Sequence, residues 1–308
     1  VISTAIQFID GFTKPSKEVI NSMRSMGNEA IKAGKQIQSA GKTITSVGST
    51  LTKAITVPIA GVATAAVKTA ADFEAAMSEV GAISGASAQD LATLTAKAKE
   101  MGATTSFSAS ESAEAMKYMA MAGWKTADMT AGIAGIMNLA AAAGEDLGTT
   151  SDIVTDGLTA FGMSAKESGR FADVMAAAST NANTNVTMLG ESFKYCAATA
   201  GAMGYNIEDI SVALGVMANA GIKGSTAGTT LKNVIANMAK PTDAQAAVMQ
   251  KLGISLTDSS GNMKSFAEVM NNLRTSFNGL SETEKASHAT TLAGKESMSG
   301  LLTIVNAC

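Results

Sequence analysis

From residue 85 onward the chain is cut into short segments, each opened by a polar residue with an acid or amide three positions on. Ser87 with Asp90, Ser108 with Glu111, Thr149 with Asp152, Ser164 with Glu167, Asn206 with Asp209, Thr242 with Gln245, Ser265 with Glu268 and Ser281 with Glu284 share that spacing. The first turn of a helix leaves amides without intrahelical acceptors, and side chains so placed can satisfy them. Gly102, Gly123, Gly144, Gly162, Gly204, Gly221, Gly253 and Gly279 mark the stops, because glycine takes positive φ without a Cβ clash. Between these marks apolar residues recur three and four apart, as Ala115, Met116, Met119 and Ala122 do. The pattern predicts a compact multi-helix domain over residues 85–308.

Trp124, the single tryptophan, follows Gly123 directly. That position lets the ring fold back over its own helix or reach a neighbour, and a core anchor is the ordinary role for such a residue. The stretch AMKYMAMAGWK at 115–125 matches ALGVMANAGIK at 213–223, with Ile222 in the tryptophan's place. A large apolar group after Ala-Gly is therefore what the position requires, and two copies imply a duplicated helical hairpin. One stretch breaks the helical pattern. In GISLTDSSGNMKS at 253–265, Ile254 and Leu256 alternate, Asp258 to Gly261 has turn chemistry, and Met263 returns the chain. A small two-stranded β-hairpin is predicted there.

Thin side chains dominate. Aromatics make up 4% of residues, so helices can approach closely while each contact buries little area. A formal charge of -3 leaves no basic footprint, and no direct nucleic-acid binding is predicted. Cys196 and Cys308 lie far apart without metal-type spacing and fit a reducing compartment. The opening VIST lacks the charged leader and apolar run of a secretory signal.

Residues 1–53 read as a helical stalk. Met23, Ala30, Ile37, Ile44 and Leu51 recur every seventh residue, and Val19, Met26, Ala33, Ala40 and Val47 do the same at an offset. Together they form the a/d seam of a coiled coil. A column of Gly27, Gly34, Gly41 and Gly48 runs beside it. Each helical glycine costs ~1 kcal/mol against alanine, so close approach of a second backbone must offset the column. A parallel homo-oligomeric bundle and an intrachain hairpin both satisfy that need. SAGKT at 39–43 is not a phosphate-binding loop: Gln36 stands where its first glycine belongs, and the heptad runs through it. Residues 54–84 form an apolar helical connector. Its uncharged run, 54–67, is bracketed by Lys53 and Lys68 and falls short of the ~20 residues that span a bilayer.

Catalytic chemistry is not legible. The single histidine, His288, has Glu284 four residues before it, but that glutamate already belongs to a cap. No HExxH, GxSxG, CxxC or GxGxxG occurs. Glu145-Asp146 follows a helix stop, and Glu208-Asp209 sits in a first turn where acids favour the helix dipole. No catalytic residue, cofactor or metal is predicted, and the chain is read as not an enzyme.

With those residues in view, the chain resembles the N-terminal part of phage tail tape measure proteins, including the versions in phage-tail-like bacteriocins. The opening VISTAIQFIDGFTKPSKEVINSM is similar to the start of many of them. GSTLTKAITVPIAGVATAAVKTAADFEAAMSEVGAIS at 48–84 resembles their most recognisable stretch, with Thr56, Pro58, Ala71, Phe73, Glu74, Met77 and Val80 in place. TTSFSASESAEAMKYMAMAGW, LGISLTDSSGNMKSFAEVM and LSETEKASHATTLAGKESMSGLL continue it in order, which brings in Phe107 and Trp124 as packing residues. The family often has Phe-Gly before the last helix, where this chain has Ala293-Gly294. That contact is expected to be weaker here.

The resemblance implies a mainly α structural protein of the virion tail, assembled in the bacterial cytoplasm. Such proteins occupy the tube lumen in several copies, three by the common proposal, and set tail length while tube protein polymerises around them. They leave before DNA passes, and some then help cross the host membrane. Implied partners are further copies of the chain, tail tube protein, tail tip or baseplate hub proteins and tail assembly chaperones. The family's proteins run longer than this, so the chain is expected to be one ordered portion. Two rival readings stand beside this one: a membrane-active, toxin-like protein inserting through 54–71, and a tail-associated lytic protein whose enzyme module lies beyond Cys308.

Overall fold

The computed structural model describes residues 69–307. The helix over 69–84 (α1) is followed by α2 (Ala88–Thr104), α3 (Ala109–Met121), α4 (Thr126–Ala143) and α5 (Leu147–Ala160). A 3-10 turn, Ala165–Glu167, leads into α6 (Ser168–Asn181), then α7 (Val186–Ala202), α8 (Ile207–Asn219) and α9 (Gly224–Ala239). The shorter α10 (Asp243–Lys251), α11 (Phe266–Phe277), α12 (Glu282–Ala293) and α13 (Met298–Asn306) complete the described residues. The mainly α reading holds. The predicted stalk, 1–53, and residues 54–68 of the connector lie outside the described residues.

Most caps form where the spacing places them. Ser108, Thr242, Ser265 and Ser281 make reciprocal capping boxes with Glu111, Gln245, Glu268 and Glu284. Thr149 does not open α5. Asp146 does so earlier, its carboxylate accepting from the Thr149 amide at 2.8 Å. The hairpin predicted at 253–265 is absent. Thr257 and Met263 form one isolated antiparallel bridge, while Asp258 ties the turn internally by accepting from the Ser260 and Asn262 amides at 2.8 and 2.9 Å. No strand occurs among the described residues. Gly102 is not a stop either. It lies inside α2, where a side chain would collide with the Ala109 backbone.

The junctions of successive helices reuse one device. Gly123 has φ 86°, its amide donates to Ala120 O at 2.9 Å, and the Trp124 amide reaches Met119 O at 3.0 Å. These are the paired bonds of a Schellman cap, which places an apolar residue directly after the glycine. Gly221 and Ile222 repeat it, with the Ile222 amide on Met217 O at 2.9 Å. Met163, Tyr205 and Ile254 take the same place after Gly162, Gly204 and Gly253. Trp124 turns out to reach a neighbour: a Cβ on Gly132 in α4 would strike its ring, and the indole is only 9% exposed.

Alternate helices stack side by side, so the fold has two layers. One holds α3, α5, α7 and α9, the other α2, α4, α6 and α8, and successive helices cross between them. In the first layer each helix turns a glycine toward its predecessor: Gly148 against the Tyr118 ring, Gly190 against Ile153, Gly228 against the Ser192 backbone. Close approach of this kind is what the thin composition permits. Met116, Met119, Met129, Ile133, Met137, Phe171 and Leu231 fill the space between layers, where flexible thioethers suit irregular gaps. Beyond α9, the end of the stack is held by α12 and α13. Asn237 Nδ2 donates to Leu292 O at 2.9 Å and Asn233 Nδ2 to Ser297 Oγ at 3.0 Å. α1 adds Phe73, Met77 and Val80 to the same core.

Candidate assembly surface

The sequence-predicted oligomer seam (Val19, Met23, Met26, Ala30, Ala33, Ile37, Ala40, Ile44, Val47, Leu51), the glycine column and Pro58 lie outside the described residues. Phe73, Glu74, Phe107 and Trp124 are described. Phe73 and Trp124 are buried, Phe107 is half-buried against the core, and Glu74 is exposed on α1. They do not converge on one point. Trp124 belongs to the α3–α4 junction, whereas Phe73 and Glu74 border a groove at the start of the stack.

That groove, of about 760 Å³, is walled by α1 and α2 and closed at one end by Ser108, Ala109 and Ser110. The ammonium of Lys99 stands 5.5 Å from the Phe73 ring centroid, a cation–π placement. Lys117 pairs with Glu79 at 2.7 Å, and Lys125 Nζ donates to Ser84 O at 3.2 Å. Both contacts hold α1 against the helices that follow. Apolar side chains also project from the stack: Met188 and Tyr195 lie seven residues apart on α7, with Met121 on α3 and Val212 on α8.

The ionisable groups act in structure. Glu284 completes the Ser281 cap, accepting from its amide at 3.0 Å, and His288 Nε2 lies 3.4 Å from Lys251 Nζ. Of the adjacent acids, Asp146 is the N-cap of α5. Glu208 takes two bonds from Arg170, at 2.7 and 2.9 Å, and Asp209 accepts from the Ala267 amide of α11 at 3.0 Å. Cys196 is buried, which pushes its thiol up to about 12. Among the described residues, no cluster of histidine, cysteine and acids is placed to hold a metal, and no helix is long and apolar enough to cross a membrane.

A stack of small-residue helices whose polar groups serve caps and clamps is built for packing, and comparison with known proteins agrees. Residues 95–294 match the family described as phage-related minor tail protein. The chain belongs to that family. It is 39% identical over 254 residues, 82% of its length, to a tape measure protein of Pneumococcus phage Dp-1, covering 22% of that protein. It is 25% identical over 265 residues to a probable tape measure protein of Escherichia phage P2, again over 82% of this chain and 32% of the relative. The chain thus spans between about a fifth and a third of the length of these relatives. No solved structure matches it. As a member of a phage minor tail family, the chain is a structural component of the virion tail. Sequence reasoning missed the groove, because its walls are residues brought together by the crossing of α1 and α2.

Proposed function

We propose that this chain is a section of a tape measure protein that sets tail length from the tube lumen while tube subunits polymerise around it. On this reading it leaves during ejection, before DNA passes. The observation that carries the reading is the 39% identity to the Dp-1 tape measure protein across 82% of this chain. Its partners are further copies of itself, three in the simplest arrangement, the tube protein, the tip or hub proteins and the tail assembly chaperones. The heptad region is the ruler-like part, since helix length in residues becomes length in space. The two-layer stack is several helices broad, and helices pack 8–10 Å apart. It serves at an end of the tail or before extension.

The test is an in-frame duplication of residues 24–51 in the phage or prophage that encodes the chain. Tails measured by electron microscopy should lengthen by about 42 Å, at ~1.5 Å per helical residue. Tails of unchanged length overturn the ruler role of this region.

A further inference from the structure

Two kinds of connection run through the stack. From α2 to α6, each helix touches the next one or two in the chain, so its loss uncovers helices close to it in sequence. Such an array behaves as local units joined by nearest-neighbour contacts, and it can open from an end. The last helices are joined differently. α11 and α13 rest on α8, α12 and α13 rest on α9, and α13 also holds α11 and α12. The contacts therefore close into a ring, from α8 to α9 to α13 to α11 and back to α8.

Named residues fasten this ring. The Asp209 carboxylate on α8 accepts from the Ala267 amide, in the first turn of α11, at 3.0 Å. Beside it, the Phe266 ring meets Tyr205 edge-on, with centroids 5.3 Å apart. On α9, Asn237 and Asn233 donate to Leu292 and Ser297, 55 and 64 residues further on. Gly300 of α13 lies so close to α9 that a Cβ there would strike Thr230, with the Met217 sulfur of α8 at 3.1 Å. Phe266, Val269 and Leu273 of α11 are buried, as are Leu301 and Ile304 of α13. No helix leaves such a ring without uncovering apolar faces distant in sequence, and opening is rare where buried contacts are dense. We propose that α8, α9 and α11–α13 form a single cooperative unit that stays folded while α2–α4 open locally. The domain then has one loose end and one locked end. The inference rests on these contacts alone, so its failure leaves the ruler reading standing.

The test is native-state hydrogen exchange of residues 1–308, read on peptides by mass spectrometry at urea concentrations below the unfolding transition. Helix-interior amides of α8, α9, α11 and α13 should share one dependence on urea. They should exchange at least about tenfold more slowly than those of α2 and α3. Gly300→Ala should speed exchange in α8, α9 and α13 alike, by roughly tenfold, and leave α2 and α3 unchanged. Gly148→Ala, which strikes Tyr118, should speed α3 and leave α8, α9 and α13 unchanged. Asn237→Ala, a milder change at the ring, replaces Gly300→Ala where the latter does not fold. Equal protection from α2 to α13 in the unsubstituted chain would overturn the proposal. Faster exchange in α11–α13 than in α8 and α9 would overturn it too.

Discussion

Ser192 Oγ donates to the Gly224 carbonyl oxygen at 2.9 Å, fastening α7 to the first turn of α9. One turn further on, Gly228 lies against the Ser192 backbone so closely that a Cβ there would collide with its carbonyl oxygen. This crossing thus combines a hydrogen bond with a missing side chain. Gly228→Ala should destabilise the domain by about 1–3 kcal/mol through overpacking. Ser192→Ala should cost about 1 kcal/mol. Urea unfolding of both variants checks the order, and an unchanged midpoint for Gly228→Ala would refute the close approach.

Trp124 closes the α3–α4 junction and covers Gly132. Trp124→Ala should lose about 3–5 kcal/mol, as buried aromatic truncations do. Trp124→Ile should recover part of that loss, because Ile222 fills the same place after Gly221 at the α8–α9 junction. Equal losses for the two substitutions in thermal or urea melts would mean that the cap does not work through apolar volume.

Acid should weaken the domain by way of its caps. The Thr149 amide holds the Asp146 carboxyl below its ordinary value, as the Ser164 amide does for Glu167, the Ser265 amide for Glu268 and the Ser281 hydroxyl for Glu284. Folded values below the ordinary 3.8 for Asp and 4.5 for Glu mean that this stabilisation is complete above pH 4.5 and lost as pH falls further. Burial acts in the opposite direction at Asp173, and at Asp156, where the neighbouring Asp152 adds to it. Each of those carboxylates costs stability when ionised, and the cost disappears as pH falls through its raised value. The urea midpoint should therefore drop below pH 4.5, and Asp156→Asn should raise it at pH 7. A midpoint that climbs steadily into acid would refute the cap account.

What could be read from the sequence was local. Ser108, Thr242, Ser265 and Ser281 opened helices as their spacing required, since a capping box is complete within four residues. Thr149 misled because Asp146, three residues upstream, captured its amide first. The start of α4 at Lys125 and of α9 at Lys223 carried no short acceptor to read. Their positions follow from the Gly-apolar caps immediately before them. Gly102 looks like a stop and is a point of contact, a distinction that only the position of Ala109 makes. The pairing of Trp124 with Ile222 was legible as a repeat, whereas its extension to Met163 and Tyr205 was not, because those residues share a backbone geometry and no sequence match. The groove walled by α1 and α2 left no signal, since no spacing rule brings Phe73 to Leu91 and Lys99.

From α2 to α9, contacts join each helix to the next one or two in the chain, while α11, α12 and α13 fold back onto α8 and α9. The loops to be closed on folding are short, which favours rapid folding, and no helix is threaded beneath a distant one. A pull applied at the α2 end would detach helices in sequence order, each removal exposing the next without breaking the remainder at once. A protein that must be compact at one stage and drawn out at another gains from this arrangement, because its unravelling follows the order of its residues.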